Sequence, residues 1–108
     1  MPERDIRKAL KKRVEEYGGE IRAVSWLGRR HAPDVLCLFP ADSHYAALMV
    51  ERNSRIDADD LHPFVETKAP GGKPNGGQLR EHRRMRVSRC TVLVISTLEQ
   101  LDEWLPPL

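Results

Sequence analysis

The run Phe64-Val65-Glu66-Thr67-Lys68 constrains this chain more than any other five residues. Two apolar side chains lead into a carboxylate, a threonine and a lysine, the composition of a short strand that leaves a core and ends in polar surroundings. Side chains alternate along a strand, so Glu66 and Lys68 share one face, about 7 Å apart along the chain. Thirty-two positions before Glu66, Pro33-Asp34 opens a second apolar run, Val35-Leu36-Cys37-Leu38-Phe39, with a carboxylate at its mouth. Two such strands predict a sheet that gathers Asp34, Glu66 and Lys68 at one edge.

The remaining elements read outward from that sheet. Residues 3 to 17 form an amphipathic helix, because Ile6, Ala9, Leu10, Val14 and Tyr17 recur at three- and four-residue spacing among Arg and Lys, and Gly18-Gly19 stops it. Glu20 to Trp26 gives a first strand. A basic loop, Leu27 to Pro33, follows, and Pro33 biases Ala32 towards an extended conformation. Asp34 to Phe39 is nearly all apolar after its first residue, as in a strand buried on both faces, and Pro40 ends it.

Residues 41 to 63 read as an insertion, a surface excursion between two core strands. Tyr45 to Val50 is either a short strand or a buried turn of helix, since six residues do not fix a period. The acidic run Asp57-Ala58-Asp59-Asp60 matches no calcium-loop spacing and reads as a solvated loop. Beyond Lys68, Ala69 to Gly77 is too rich in Gly and Pro for regular structure. Gln78 to about Val87 is helical, with Leu79, His82 and Met85 along one side. Cys90 to Ile95 is a β-branched strand, and Thr97-Leu98-Glu99-Gln100 is a capping box for a last helix ended by Pro106-Pro107. The order α-β-β-β-α-β-α gives one α/β domain over residues 1–108, a mixed central sheet flanked by helices.

Length and composition agree with that organisation. The 108 residues suffice for a single core, and 40% hydrophobic with 31% charged residues is globular rather than disordered. No apolar run reaches the ~20 residues of a membrane span, and the first residues lack the apolar centre of a signal peptide, so a cytoplasmic protein is expected. Cys37 and Cys90 each lie in an apolar run without CxxC spacing, which predicts reduced thiols. A net charge of +2 decides nothing about nucleic acid; the placement of the positive charge does.

Two carboxylates and a lysine at one sheet edge suit phosphodiester hydrolysis. Mg²⁺ prefers oxygen ligands, keeps several waters and binds phosphate directly. Asp34 and Glu66 are the candidate ligands, with the Thr67 backbone carbonyl as a third and Glu51 as a rival. Lys68 is suited to orient or activate the attacking water and to offset charge on the phosphate. Arg29, Arg30 and Lys73 flank this set in sequence. The run Arg80 to Arg89 reads equally as a phosphate-binding or a solvated helix face, and no aromatic platform for base stacking is evident.

In their order along the chain several motifs carry a family resemblance: Glu3-x-x-Ile6-x-x-x-Leu10-x-x-x-Val14 before Gly18-Gly19, Gly28-Arg29-Arg30-x-x-Pro33-Asp34, Phe64 to Gly71, Gln78-Leu79-Arg80-Glu81-His82, and the closing strand Val92 to Ser96 with its helix. Together they resemble the VRR-NUC (virus-type replication-repair nuclease) branch of the PD-(D/E)XK superfamily. The resemblance implies a restriction-endonuclease-like core acting on DNA with Mg²⁺ or Mn²⁺. It also implies a homodimer of phage or bacterial origin, selective for branched DNA such as four-way junctions. It further implies that Glu3 is an accessory metal-site carboxylate and that Gln78 lines the catalytic centre; charge placement makes Arg29, Arg30, Lys73, Arg80 and Arg84 the candidate DNA contacts. A subunit that keeps the fold and binds DNA without turnover is the alternative. The gap between Asp34 and Glu66 exceeds the family's usual short hairpin.

Overall fold

Helix α1 (Glu3–Glu16) forms along the expected apolar stripe, and its Ile6, Leu10 and Val14 are fully buried. Glu3 and Asp5 in the first turn suit the positive end of the helix dipole. Its end is a Schellman turn: the Gly19 N–H donates to the Val14 carbonyl and the Gly18 N–H to that of Glu15, with Gly18 at φ +88°, a conformation a side chain would disfavour. The computed structural model describes all residues from Met1 to Leu108.

Four strands make one mixed sheet in sequence order: β1 (Glu20–Ala23), β2 (Val35–Leu38), β3 (Phe64–Thr67) and β4 (Val92–Ile95). The first three run antiparallel, with Ala23 opposite Val35 and Val35 opposite Val65. Strands β3 and β4 are parallel and are joined through helix α3 (Gly76–Val87), as a parallel pair requires. β1 ends three residues before Trp26, whose indole N–H instead donates to the Pro33 carbonyl at 2.6 Å while its ring packs on Phe64.

The faces of the sheet differ. Val35, Cys37, Val65 and Ile95 meet Ile6, Leu10 and Val14 of α1 and Leu101 of α4 (Leu98–Trp104) in the main core. The opposite face carries Glu66, against which α3 sets His82. Because α3 packs on β4, the outer side of β2 stays open: Leu36 and Leu38 are half-buried while Val35 and Cys37 are buried. β2 is therefore covered on one face, not two as its continuous apolar run suggests.

Residues 41 to 63 depart furthest from expectation. They contain helix α2 (His44–Asn53), capped by the Ser43 hydroxyl accepting from the Ala46 N–H, and Tyr45, Ala46 and Met49 enter the core. Tyr45 stacks on Phe39 with ring centroids 3.8 Å apart, and Trp104 meets both rings edge-on. Further on, the Cys37 N–H donates to the Pro63 carbonyl and the Phe39 N–H to that of Leu61, so this stretch also lengthens the pairing of β2. It is a structural part of the domain and not a surface excursion. The acidic run is structural too: Asp57 and Asp60 cap a 3-10 turn, and Asp59 pairs with Arg89 at 3.0 Å.

Two helix starts also differ in detail. α3 begins at Gly76 through an Asn75/Gln78 capping box, and it buries Glu81 where Leu79 was expected; Leu79 is half exposed. At α4 the Thr97 hydroxyl accepts from the Gln100 N–H, but the Gln100 amide oxygen accepts from Ser96, so the box is only half closed. Cys37 and Cys90 are free thiols, and burial pushes the Cys37 thiol up to about 12. No helix is long and apolar enough to cross a membrane.

Candidate metal centre and nucleic-acid interface

The pairing of β2 with β3 decides whether Asp34 and Glu66 can cooperate. Val35 pairs with Val65, and Asp34, in the bend just before β2, comes near enough to Glu66 for its charge to act on that carboxyl. Neighbouring elements complete a polar cluster. From α1, the Arg7 guanidinium donates to Asp34 Oδ2 at 2.6 Å and to the Thr67 hydroxyl at 3.2 Å. The Thr67 hydroxyl in turn donates to Glu3 Oε1 at 3.2 Å. On the other face, His82 Nε2 lies 3.4 Å from Glu66 Oε1.

Electrostatics match this crowding. Glu66 is 6% exposed, and burial pushes its carboxyl up to about 7, with Asp34 raising it further, Lys68 opposing, Glu3 raising and Arg7 lowering. Burial, with Arg86 nearby, holds His82 below the usual imidazole value. Near neutral pH the pair is thus a neutral imidazole beside a carboxyl poised to lose its proton. Two buried polar atoms at the cluster lack partners: Asp34 Oδ1 and Arg7 Nε. On the His82 ring, Nδ1 is likewise unpaired.

This donor set fits a small hard cation. Asp34 offers an open oxygen, and a positive charge beside Glu66 would relieve the strain that raises its pKa. No three His, Cys, Asp or Glu side chains converge as they stand. The Arg7 guanidinium lies against Asp34.

The other expected residues divide clearly. Lys68 makes no ion pair, yet its charge acts on both Glu66 and His82. Gln78 caps α3, its amide oxygen accepting from the Asn75 N–H at 2.9 Å. Glu51 is exposed on α2 and is absent from the charges acting on Glu66, so the rival ligand is not brought to the cluster. Arg29, Arg30, Arg80 and Arg84 share a polar pocket of about 200 Å³ with Gly28, His31, Gly77 and Glu81. The imidazole of His31 packs so close to Gly77 that any side chain there would lie 2.6 Å from the ring. Buried Glu81 pairs with Arg84 at 2.9 Å and Arg29 at 3.8 Å, tying the basic loop to α3. Lys73 is exposed and unpaired in the turn after β3. Of the arginine run, Arg86 bonds the Val92 carbonyl and Arg89 pairs with Asp59, so those two serve structure.

Arg7, His82 and the Thr67 hydroxyl were not read as site groups from sequence. A signal existed for two of them: Arg7 lies one helical turn from Glu3, and His82 one turn from Gln78.

No family model matches the chain. A curated relative, "Putative nuclease p44" of Acyrthosiphon pisum secondary endosymbiont phage 1, is 35% identical over 104 residues, covering 96% of this chain and 91% of the relative. A solved structure described as a VRR_NUC domain superposes with a TM-score of 0.70 at 32% identity, over 94% of this chain and 90% of that one. With its mixed sheet, its flanking helices and these two likenesses, the chain belongs to the VRR-NUC family of the PD-(D/E)XK nuclease superfamily.

Proposed function

We propose that this protein is a divalent-metal-dependent DNA endonuclease whose centre is formed by Asp34, Glu66 and Lys68. The observation that carries the reading is that Asp34, at the mouth of β2, acts by its charge on the buried Glu66 of β3 while one Asp34 oxygen has no protein partner. Asp34 and Glu66, with the Thr67 carbonyl, would hold Mg²⁺ or Mn²⁺, and Glu3 would serve as an accessory carboxylate. When bound, the ion supplies an activated water and neutralises phosphate charge.

The protein's own groups divide the remaining work. Lys68 directs a proton donor at the attacking water and offsets charge on the phosphate. His82 holds the Glu66 carboxylate in orientation from behind, as a neighbour of a metal ligand does. Arg7 must leave Asp34 for the carboxylate to turn to a cation. Gln78 is assigned to line the centre from the first turn of α3; its amide oxygen accepts from the Asn75 N–H, which leaves the amide nitrogen for that role. Arg29, Arg30, Lys73, Arg80 and Arg84 contact phosphates, giving affinity with little sequence information.

The finer reading is a homodimer selective for branched DNA such as four-way junctions, working in the cytoplasm of a bacterial or phage-infected cell. Two separate basic-lined pockets, with room for more than one DNA segment, support the branched substrate, and the phage relative supports the setting. The test incubates wild type and Glu66→Ala with linear, flapped and four-way DNA in Mg²⁺, Mn²⁺ or EDTA. The reading expects metal-dependent cutting by wild type alone, with four-way DNA cut fastest. Wild type that binds every substrate and cuts none would instead mark a DNA-binding subunit without turnover.

A further inference from the structure

Helix α1 carries a second basic surface that none of the expected DNA contacts includes. Arg4, Arg7, Lys8 and Lys11 follow the spacing i, i+3, i+4, i+7, so all four lie on one side of the helix over two turns, about 10 Å. With Glu3 and Ile21 they line a groove of about 440 Å³ between α1 and β1. Acidic groups leave much of this charge uncompensated. Glu3 is bonded to Thr67, Lys11 pairs with Glu15 at 3.4 Å across exposed surface, and Arg4 and Lys8 have no ion pair. The groove also reaches the candidate centre, because Arg7 extends from it to Asp34 and Thr67.

We infer that this groove binds the phosphodiester backbone of DNA on the side of the centre opposite the Arg29, Arg30, Arg80 and Arg84 pocket. A 10 Å stripe matches about three base-pair steps along the duplex axis. α1 covers the face of the sheet that bears Val65 and Thr67, whereas α3 covers the face that bears Glu66. Asp34 and Glu66 stand between them, so a backbone crossing that end of the sheet meets cations on both flanks. Arg7 occupies the inner end of the groove and is placed to exchange Asp34 for a phosphate oxygen, a bidentate partner suited to its planar fork. The inference rests on the nuclease reading for the identity of its ligand and adds where the strand runs.

The test measures equilibrium binding of fluorescent duplex and four-way DNA to the full-length protein in EDTA, across 50 to 200 mM salt. Wild type is compared with Arg4→Gln/Lys8→Gln/Lys11→Gln and with Lys12→Gln, a change on the same helix outside the groove. All substituted positions except the paired Lys11 are free of ion pairs, and far-UV circular dichroism with thermal melting checks the fold. The triple variant should bind about tenfold or more weakly at 100 mM salt, with the slope of log K against log salt smaller by roughly 2 to 3; Lys12→Gln should change little. Unchanged affinity and slope in the triple variant overturn the inference, as does wild type that binds no DNA. A triple variant altered in oligomeric state but not in DNA binding overturns it too, assigning the groove to a second copy of the chain. The expected slope change in the triple variant, together with a wild type that cuts nothing in Mg²⁺ or Mn²⁺, supports the groove and removes the nuclease reading alone.

Discussion

Strand β2 connects two regions built on opposite terms. At its far end Phe39 stacks on Tyr45, Trp104 closes the cluster edge-on, and the Tyr17 hydroxyl donates to the Pro106 carbonyl. Arg13 reaches Asp102 at 2.8 Å and the Leu105 carbonyl, and Arg52 binds the carbonyls of Glu103 and Trp104, so the end of α4 is fastened down. At its near end the charge of Asp34 bears on buried Glu66, and Asp34 Oδ1, Arg7 Nε and His82 Nδ1 are all buried without partners. One end gains stability from packed rings and satisfied polar groups. The other holds carboxylates together at a cost that Lys68 and Arg7 offset only in part, since Glu66 stays raised to about 7.

This contrast can be broken from either side. The largest effect is expected at the aromatic end, where Tyr45→Ala should lower unfolding free energy by about 3–5 kcal/mol in urea titration, because a buried ring is lost. Were residues 41 to 63 a mere surface excursion, the same change would be almost silent. At the carboxylate end, Asp34→Ala or Glu66→Ala should reduce metal-dependent cleavage at least about a hundredfold in single-turnover assays, with the fold intact.

Glu66 sharpens the difference through pH. Its folded pKa, about 7, lies above the ordinary carboxylate value of 4.5, so the folded state keeps a proton that the unfolded chain releases. The stability it lends is full below about pH 4.5 and disappears as pH rises through about 7. Glu66→Gln should therefore stabilise the metal-free protein at pH 8, by on the order of 2 kcal/mol, and leave it nearly unchanged at pH 4. Thermal melts at the two pH values check both halves. His82→Asn should weaken Mn²⁺ binding about 10- to 100-fold by calorimetry while leaving melting in EDTA much less affected. The smallest effect is expected from Asn75→Ala, which removes the α3 cap and should cost about 1 kcal/mol in urea titration.

The two regions were unequally legible in the sequence. Strands β2 and β3 and their carboxylates could be read because a proline, an apolar run and a terminal acid leave few alternatives. α1 was legible because its apolar stripe, Ile6 to Tyr17, continues over about three turns. Helix α2 was ambiguous because its buried residues, Tyr45, Ala46 and Met49, span little more than one turn and fit two periods. The cluster's inner partners were harder still. Arg7 sits 27 positions from Asp34, and His82 sits 16 from Glu66, so only the folded arrangement of α1 and α3 around the sheet joins them. The basic loop followed the same rule: its attachment depends on Glu81 and on a glycine at 77 that lets His31 close in.

The most direct measurement is anomalous diffraction at the manganese edge from crystals grown with Mn²⁺. The account predicts one ion bonded to carboxylate oxygens of both Asp34 and Glu66, with the Arg7 guanidinium withdrawn from Asp34. Manganese bound elsewhere, or Asp34 still paired with Arg7 at saturating Mn²⁺, would contradict it.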